Sequence, residues 1–372
     1  MKRILTFTLA TAVFGSIAAT PALAATKAAA GKSCKTAGTT SGVLSCTKKG
    51  TKNVWSATPT TAVPTTAAAQ SAATAAPATT AAPAKAPTKL IFAPVPAENA
   101  IAQASNWAPF VKALSDLVGL PIEQVTTTDY AGVTEGVLAG KVDIAMYGPL
   151  SYYIATQSGA KIRGAAIQTG SFGASETYQA FLFTKAGRSD INTIADVRGK
   201  RVCFGDPEST SGTLFPYLML SDAGLDPQKD LTPVVAGAHD KAILGVANGS
   251  CDAGFAFDSI AMLPSGAASS VKPSDLKIVS KSKPIPNSPM AVRSDLPPAL
   301  YKKVVDSIVQ VDALYLQANN YCPSSAPRCG PGSLGNNQSS AWKAVTSEAW
   351  VEPIAAACKL PGAPSSCRPA KK

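Results

Sequence analysis

"KRVCFGDPESTSGTLFPYLMLSDAG", residues 200–224, reads as a strand, a loop and a helix in direct succession. Within it, "GDPESTSGTLFP" (205–216) sets three hydroxyl residues, Ser209, Thr210 and Ser211, ahead of a glycine and an apolar run. The first backbone N–H groups of a helix have no intrahelical partners and the dipole is positive there, so hydroxyls at such a start form a natural oxyanion site. Gly212 brings no Cβ between a ligand and the backbone. Pro216 is tolerated because it falls near the first turn, where its missing N–H costs little. Serine and threonine are also ordinary N-cap residues. Read alone, the stretch fits plain helix capping and an anion cradle equally well.

Strands and helices alternate on both sides of it from Lys89 onward, which predicts α/β architecture. "KLIFAPVP" is a strand, and "NWAPFVKALSDLVG" spaces Trp107, Phe110, Val111, Leu114, Leu117 and Val118 as one helix face, with Gly119 as its stop. "PIEQVTT", "GVTEGVLAG", "KVDIAMY" and "PLSYYIATQSG" continue the alternation as strand, helix, strand and helix. The pattern restarts after residue 178 with "YQAFLFTK", and a long helix is expected over roughly 297–319. Some 280 residues exceed the common size of a single core, so two lobes are expected. Lobe I is assigned to 89–178 plus 285–372 and lobe II to 179–284, with crossovers near 178–184 and 284–292. The site then belongs in the cleft, where strand ends and helix starts converge.

Two further residues fall at that same end of lobe II. His239 opens the helix "HDKAILGVANG" directly after the strand "LTPVVAG". The helix dipole resists its protonation, whereas a neighbouring anion favours it; a surface cap is the plain alternative. Asp258 ends the strand "CDAGFAFD". A carboxylate beside an anion repels it unless the ligand brings a proton, which favours a P–OH group over sulfate; an exposed strand-end aspartate is the other reading.

Together, "TDYAGVTEGVLAGKVDIAMYGPLSYYIA", "FGDPESTSGTLFPYLML", "GAHDKAILGVANGSCDAG" and "PIPNSPMAVRSDLP" resemble, in order and spacing, the phosphonate, phosphite and phosphate substrate-binding proteins of ABC transporters. The resemblance spans about residues 89–300. It implies a type II periplasmic-binding-protein fold that closes two lobes on a small phosphorus oxyanion for delivery to a membrane permease, as a monomer, with neither cofactor nor catalysis. It implies Ser209, Thr210 and Ser211 as the oxyanion-binding hydroxyls, His239 as the cleft histidine, and Tyr130 and Tyr147 as cleft tyrosines from the facing lobe. On spacing alone each tyrosine is simply a buried aromatic. Members that take an aminoalkylphosphonate carry an acid in the stretch matching "IPNSP", where this chain has Ser288. With Asp258 as the remaining acid, phosphite, phosphate or a small alkylphosphonate is favoured over 2-aminoethylphosphonate.

The amino-terminal quarter is of another kind. Residues 1–24 show Lys2 and Arg3, an apolar stretch and Ala22-Leu23-Ala24, a secretory signal pattern. Residues 25–56 form a small cysteine-bearing module, and 57–88 an Ala/Thr/Pro tract too poor in large apolar groups to order itself, hence a disordered linker. Gly31-Lys32-Ser33 before Cys34 is no lipobox, so a lipid anchor is not expected. Eight cysteines in an exported chain favour disulfides. Close spacing suggests Cys34–Cys46, Cys322–Cys329 and Cys358–Cys367, leaving Cys203 with Cys251, although spacing alone does not fix connectivity. One histidine and no Cys-x-x-Cys give no support for zinc.

The formal charge of +11 becomes +9 without Lys2 and Arg3, and no long basic run points to nucleic acid. An exported basic protein at the outer face of the membrane or in the cell wall, of actinobacterial composition, is expected. A secreted hydrolase is disfavoured, since no G-x-S-x-G elbow surrounds these serines. A wall-associated sensor or scavenger of the same fold is the alternative to a transport component.

Overall fold

The computed structural model describes residues 40–41, 44–49, 52–57, 87–169, 175–326, 329–334 and 341–368. The expected signal peptide, Cys34 and nearly all of the Ala/Thr/Pro tract lie outside the described residues. The amino-terminal unit is a small antiparallel sheet of β1 (Thr40–Ser41), β2 (Leu44–Lys49) and β3 (Lys52–Ala57), in which Cys46 stands opposite Trp55.

The larger unit contains two sheets. The chain runs through β4 (Leu90–Pro94), α1 (Ala100–Val118), β5 (Ile122–Gln124), α2 (Tyr130–Leu138), β6 (Ile144–Met146), α3 (Pro149–Gln157) and β7 (Ile162–Thr169). It then crosses by β8 (Thr177–Tyr178) into β9 (Ala180–Lys185), β10 (Arg201–Phe204), α4 (Phe215–Asp222), β11 (Thr232–Val235), α5 (His239–Ala247), β12 (Ala253–Phe257), α6 (Asp258–Met262) and β13 (Leu276–Lys281). It returns by β14 (Ile285–Pro286) to β15 (Pro289–Arg293), α7 (Pro298–Gln310), α8 (Ala313–Ala318), β16 (Cys329–Gly330), β17 (Ser333–Leu334), β18 (Ala341–Ala344) and α9 (Glu352–Ala357).

The first sheet has the order β18-β7-β15-β6-β4-β5 and the second β11-β10-β12-β9-β13. In each, three parallel strands are followed by one antiparallel strand that arrives from the other lobe, β15 beside β6 and β9 beside β12. The two crossings pair with each other, Tyr178 opposite Ile285. This two-sheet, two-crossover arrangement is the type II periplasmic-binding-protein fold. It turns the carboxyl ends of both parallel sets toward one seam.

Cores form where the sequence periodicity places them. Phe92 and Phe110 are fully buried in the first lobe, with Trp107 against both at 5.2 and 5.5 Å between ring centroids. Phe204 stacks on Phe255 at 5.5 Å in the second. The helix α1 begins at Asn99, whose Oδ1 accepts from Ile101 N at 3.0 Å, and ends at Gly119 in the left-handed region with φ 73°. The single long helix expected over 297–319 is instead two, because Asp312 interrupts it and caps α8 by accepting from Tyr315 N at 2.7 Å. Three of the suggested disulfides are present: Cys203–Cys251, Cys322–Cys329 and Cys358–Cys367.

Candidate functional site

The loop after β10 is closed by backbone contact. Gly205 N donates to Gly212 O at 2.9 Å, so the loop doubles back until the two glycines touch. A Cβ added to Gly212 would stand 2.8 Å from Gly205 Cα, which is why both positions are glycine. The carboxylate of Asp206 accepts from Glu208 N at 2.8 Å, and Thr213 Oγ1 donates to Asp206 O at 2.7 Å. The helix then starts with one wide π-type turn, Thr210–Leu214, in which Leu214 N reaches back to Ser209 O at 3.1 Å. Such widened turns leave donors available for function.

The three hydroxyls, each no more than 3 % exposed, serve three directions. Ser209 Oγ accepts from Gly212 N at 3.0 Å, lies 3.3 Å from His239 Nε2, and meets the hydroxyl of Tyr130 from the facing lobe. Thr210 Oγ1 accepts from Leu150 N at 2.8 Å, at the start of α3 across the seam. Ser211 and Thr210 both face the hydroxyl of Tyr178, pushed up to about 12 mainly by burial. More bonds cross the seam: Tyr130 N to the Asp206 carboxylate at 3.2 Å, His239 N to Ala97 O at 3.0 Å, and Asn99 N to Asp240 Oδ2 at 2.9 Å. The lobes are closed on one another.

His239 is buried, with its ring edge-on to Phe257 at 4.8 Å between centroids. Burial lowers its pKa to about 4, so the imidazole is neutral at pH 7 until an anion is beside it. Its Nδ1 is buried without a partner among the described residues. A neutral imidazole, hydroxyls and helix-start N–H groups can together donate several hydrogen bonds to a compact anion.

Two residues expected in the cleft have other neighbours. Asp258 does not end a strand but opens α6, and its carboxylate accepts from Gln179 N at 3.1 Å and Ser259 N at 2.7 Å, tying α6 to the crossover. Tyr147 follows β6 and packs against Tyr152 at 6.2 Å in the apolar cluster of the first lobe, its hydroxyl turned toward Thr134. Tyr178 was hidden in the sequence because an aromatic just ahead of a strand reads as core. Asp206 and Glu208 lay in the quoted loop itself, two acids flanking a proline beside the hydroxyls, a signal that was available.

Acids crowd the seam. Burial, then Asp206, Asp129 and Glu135, push Glu208 up to about 7. Burial, then Asp240, push Glu98 up to about 7, opposed by the Ser265 hydroxyl. Because the folded pKa of Glu98 stands above the ordinary value of 4.5, folding favours the protonated carboxyl. Its contribution is fully present below pH 4.5 and is lost as pH rises through about 7. Glu98→Gln is expected to flatten this decline and to stabilise the chain at pH 8 by on the order of 2–3 kcal/mol, read by urea unfolding at pH 5, 6.5 and 8. A variant whose stability falls with pH as steeply as the parent's would contradict it.

Among the described residues no group of three or more His, Cys, Asp or Glu is placed to hold a metal, and no helix is long and apolar enough to cross a membrane. The profile of the family described as ABC transporter, phosphonate, periplasmic substrate-binding protein matches residues 92–321. The chain belongs to this family. It is 36% identical over 253 residues to the phosphate-import protein PhnD of Mycolicibacterium smegmatis, covering 65% of this chain and 78% of that one. It is 31% identical over 208 residues to the phosphonates-binding periplasmic protein of Escherichia coli, covering 54% of this chain and 60% of that one. Among solved structures it is similar to the binding-protein component of a Pseudomonas aeruginosa ABC phosphonate transporter (TM-score 0.60, 24% identity, 72% of this chain and 84% of that one). It is also similar to PhnD1 from Prochlorococcus marinus in complex with methylphosphonate (TM-score 0.58, 18% identity, 73% and 97%). These relatives are substrate-binding proteins, not enzymes, and the family is extracytoplasmic.

Proposed function

We propose that this family member captures a small phosphorus oxyanion, namely phosphite, phosphate or a small alkylphosphonate such as methylphosphonate, and hands it to an ABC permease from outside the membrane. The supporting observation is the wide first turn at Thr210–Leu214 with its cap Ser209: the hydroxyls of Ser209, Thr210 and Ser211 lie beside neutral His239 of the same lobe and face Tyr130 and Tyr178 at a closed seam. Those six residues are the ligand contacts in this reading; Tyr147 supports α2 and Asp258 supports the crossover. The seam acids Asp206, Glu208 and Glu98 disfavour an anion without protons, so a ligand carrying a P–OH group suits the site and sulfate does not. The relative named for phosphate import and the neighbour solved with methylphosphonate fit the same ligand class. The exported chain acts as a monomer, with 89–178 plus 285–372 as one lobe and 179–284 as the other.

Ser211→Ala and His239→Ala are each expected to weaken oxyanion binding by about 1–3 kcal/mol, the scale of a hydrogen bond to a charged group. Titration of both variants, with circular dichroism to confirm the fold, checks this. Unchanged affinity in both would remove these residues from the site.

A further inference from the structure

We infer that residues 341–368 form a strap that grips both lobes and positions the hydroxyl loop, with Ser366 as its positioning residue. The inference rests on the proposed oxyanion site, but the strap itself is visible in the contacts. It also lies beyond residue 321, where the family match ends.

One end of the segment is built into the first lobe. The strand β18 pairs antiparallel with β7, placing Ala344 opposite Ala166. The Glu348 carboxylate accepts from Gly164 N at 3.0 Å and from Tyr152 Oη at 2.8 Å, and Trp350 lies 5.0 Å from the Tyr152 ring. The middle, α9, buries Ile354 and Ala357 in a cluster shared by Leu150 and Ile154 of α3, Leu218 of α4, and Ala180 and Ile285 at the crossings. A short amphipathic helix is therefore packed against both lobes at the point about which they must move.

The far end sits on the second lobe. The Cys358–Cys367 disulfide folds the tail back after α9. Gly362, with φ 83°, lies so close to α4 that a Cβ there would stand 2.5 Å from Ser221 Oγ. Ser366 Oγ then donates to Pro207 O at 2.7 Å, two residues before Ser209. Gly362–Ser366 also line, with Gly205, Thr213 and Tyr217, a half-open cavity of about 890 Å³ beside the same loop. The loop is thus held from behind by a covalently closed tail whose root is in the other lobe. Opening the cleft must strain or release this tail, and the strap biases the lobes toward closure.

The test uses the full chain and whichever of phosphate, phosphite or methylphosphonate the unmodified chain binds. Cys358→Ser with Cys367→Ser is expected to raise the dissociation constant by about tenfold, through faster release. Ser366→Ala is expected to raise it by about threefold with an unchanged melting temperature, and Ser366→Thr to restore it. Cys322→Ser with Cys329→Ser, outside the strap, should change neither affinity nor release. A second arm needs no ligand: labels at Lys112→Cys and Lys229→Cys, both on exposed side chains, report the interlobe distance by energy transfer. Opening of the ligand-free chain when the Cys358–Cys367 bridge is removed is the expected result. Unchanged interlobe distance, or unchanged affinity in both strap variants, would overturn the strap. Failure of the unmodified chain to bind any of the three anions would overturn the proposed function while leaving the distance measurement to decide the strap.

Discussion

Gly212→Ala is expected to weaken oxyanion binding by more than about a hundredfold, beyond the loss from any single hydroxyl. The argument is steric, since Gly212 is not at a positive φ. Its new Cβ would meet Gly205 Cα at 2.8 Å, Ser209 Oγ at 2.9 Å and His239 Cε1 at 3.1 Å. The first of these is backbone and cannot rotate aside. Either the Gly205–Gly212 hydrogen bond breaks or the wide turn shifts, and in both cases Ser209 and His239 move together. Losing two or more hydrogen bonds to a charged ligand at about 1.5–3 kcal/mol each gives the stated factor. Calorimetric titration of the folded variant reads it, and an affinity within threefold of the parent would contradict the loop geometry.

Removing Cys203–Cys251 as a pair of alanines is expected to lower stability by about 2–4 kcal/mol, the largest such loss among the three described bridges. The bridge spans a sequence separation of 48, against 7 and 9 for the other two, and the unfolded-chain entropy it removes grows with the closed loop. Both cysteines are about 2% exposed and belong to the core beneath β10 and α5. Because Cys203 stands two residues before Gly205, the same change loosens the root of the ligand loop, so affinity should fall with stability. Urea unfolding of the paired variant checks it; a loss below about 0.5 kcal/mol would show that the core alone holds this lobe.

The lobe pattern was legible because each strand and helix carried its own punctuation. Gly119, Gly140 and Gly159 end or follow helices at positive φ, as their places in the sequence suggested. The strand–hydroxyl–helix reading of residues 200–224 survives in detail, except that the helix opens with a wide turn. That turn depends on Gly205 touching Gly212, a contact within the loop that no helix or strand periodicity announces. The break at Val311–Asp312 was missed for a related reason: the apolar stripe runs on through Val311 and Tyr315, and only the cap made by Asp312 divides it. Closure decides which side chains share the seam, so Tyr178 could be weighed only once both lobes were in place, whereas Asp206 and Glu208 stood in the loop itself. Thr210 shows the same limit, because its bond to Leu150 N joins residues 60 apart in sequence.

The central claim is that the seam between the lobes holds a small phosphorus oxyanion and rejects sulfate. Calorimetric titration of the purified chain with phosphate, phosphite, methylphosphonate, 2-aminoethylphosphonate and sulfate tests it most directly. Saturable binding of at least one of the first three is predicted, with weaker binding of 2-aminoethylphosphonate and none of sulfate. No heat with any phosphorus oxyanion, or equal affinity for sulfate, would contradict it.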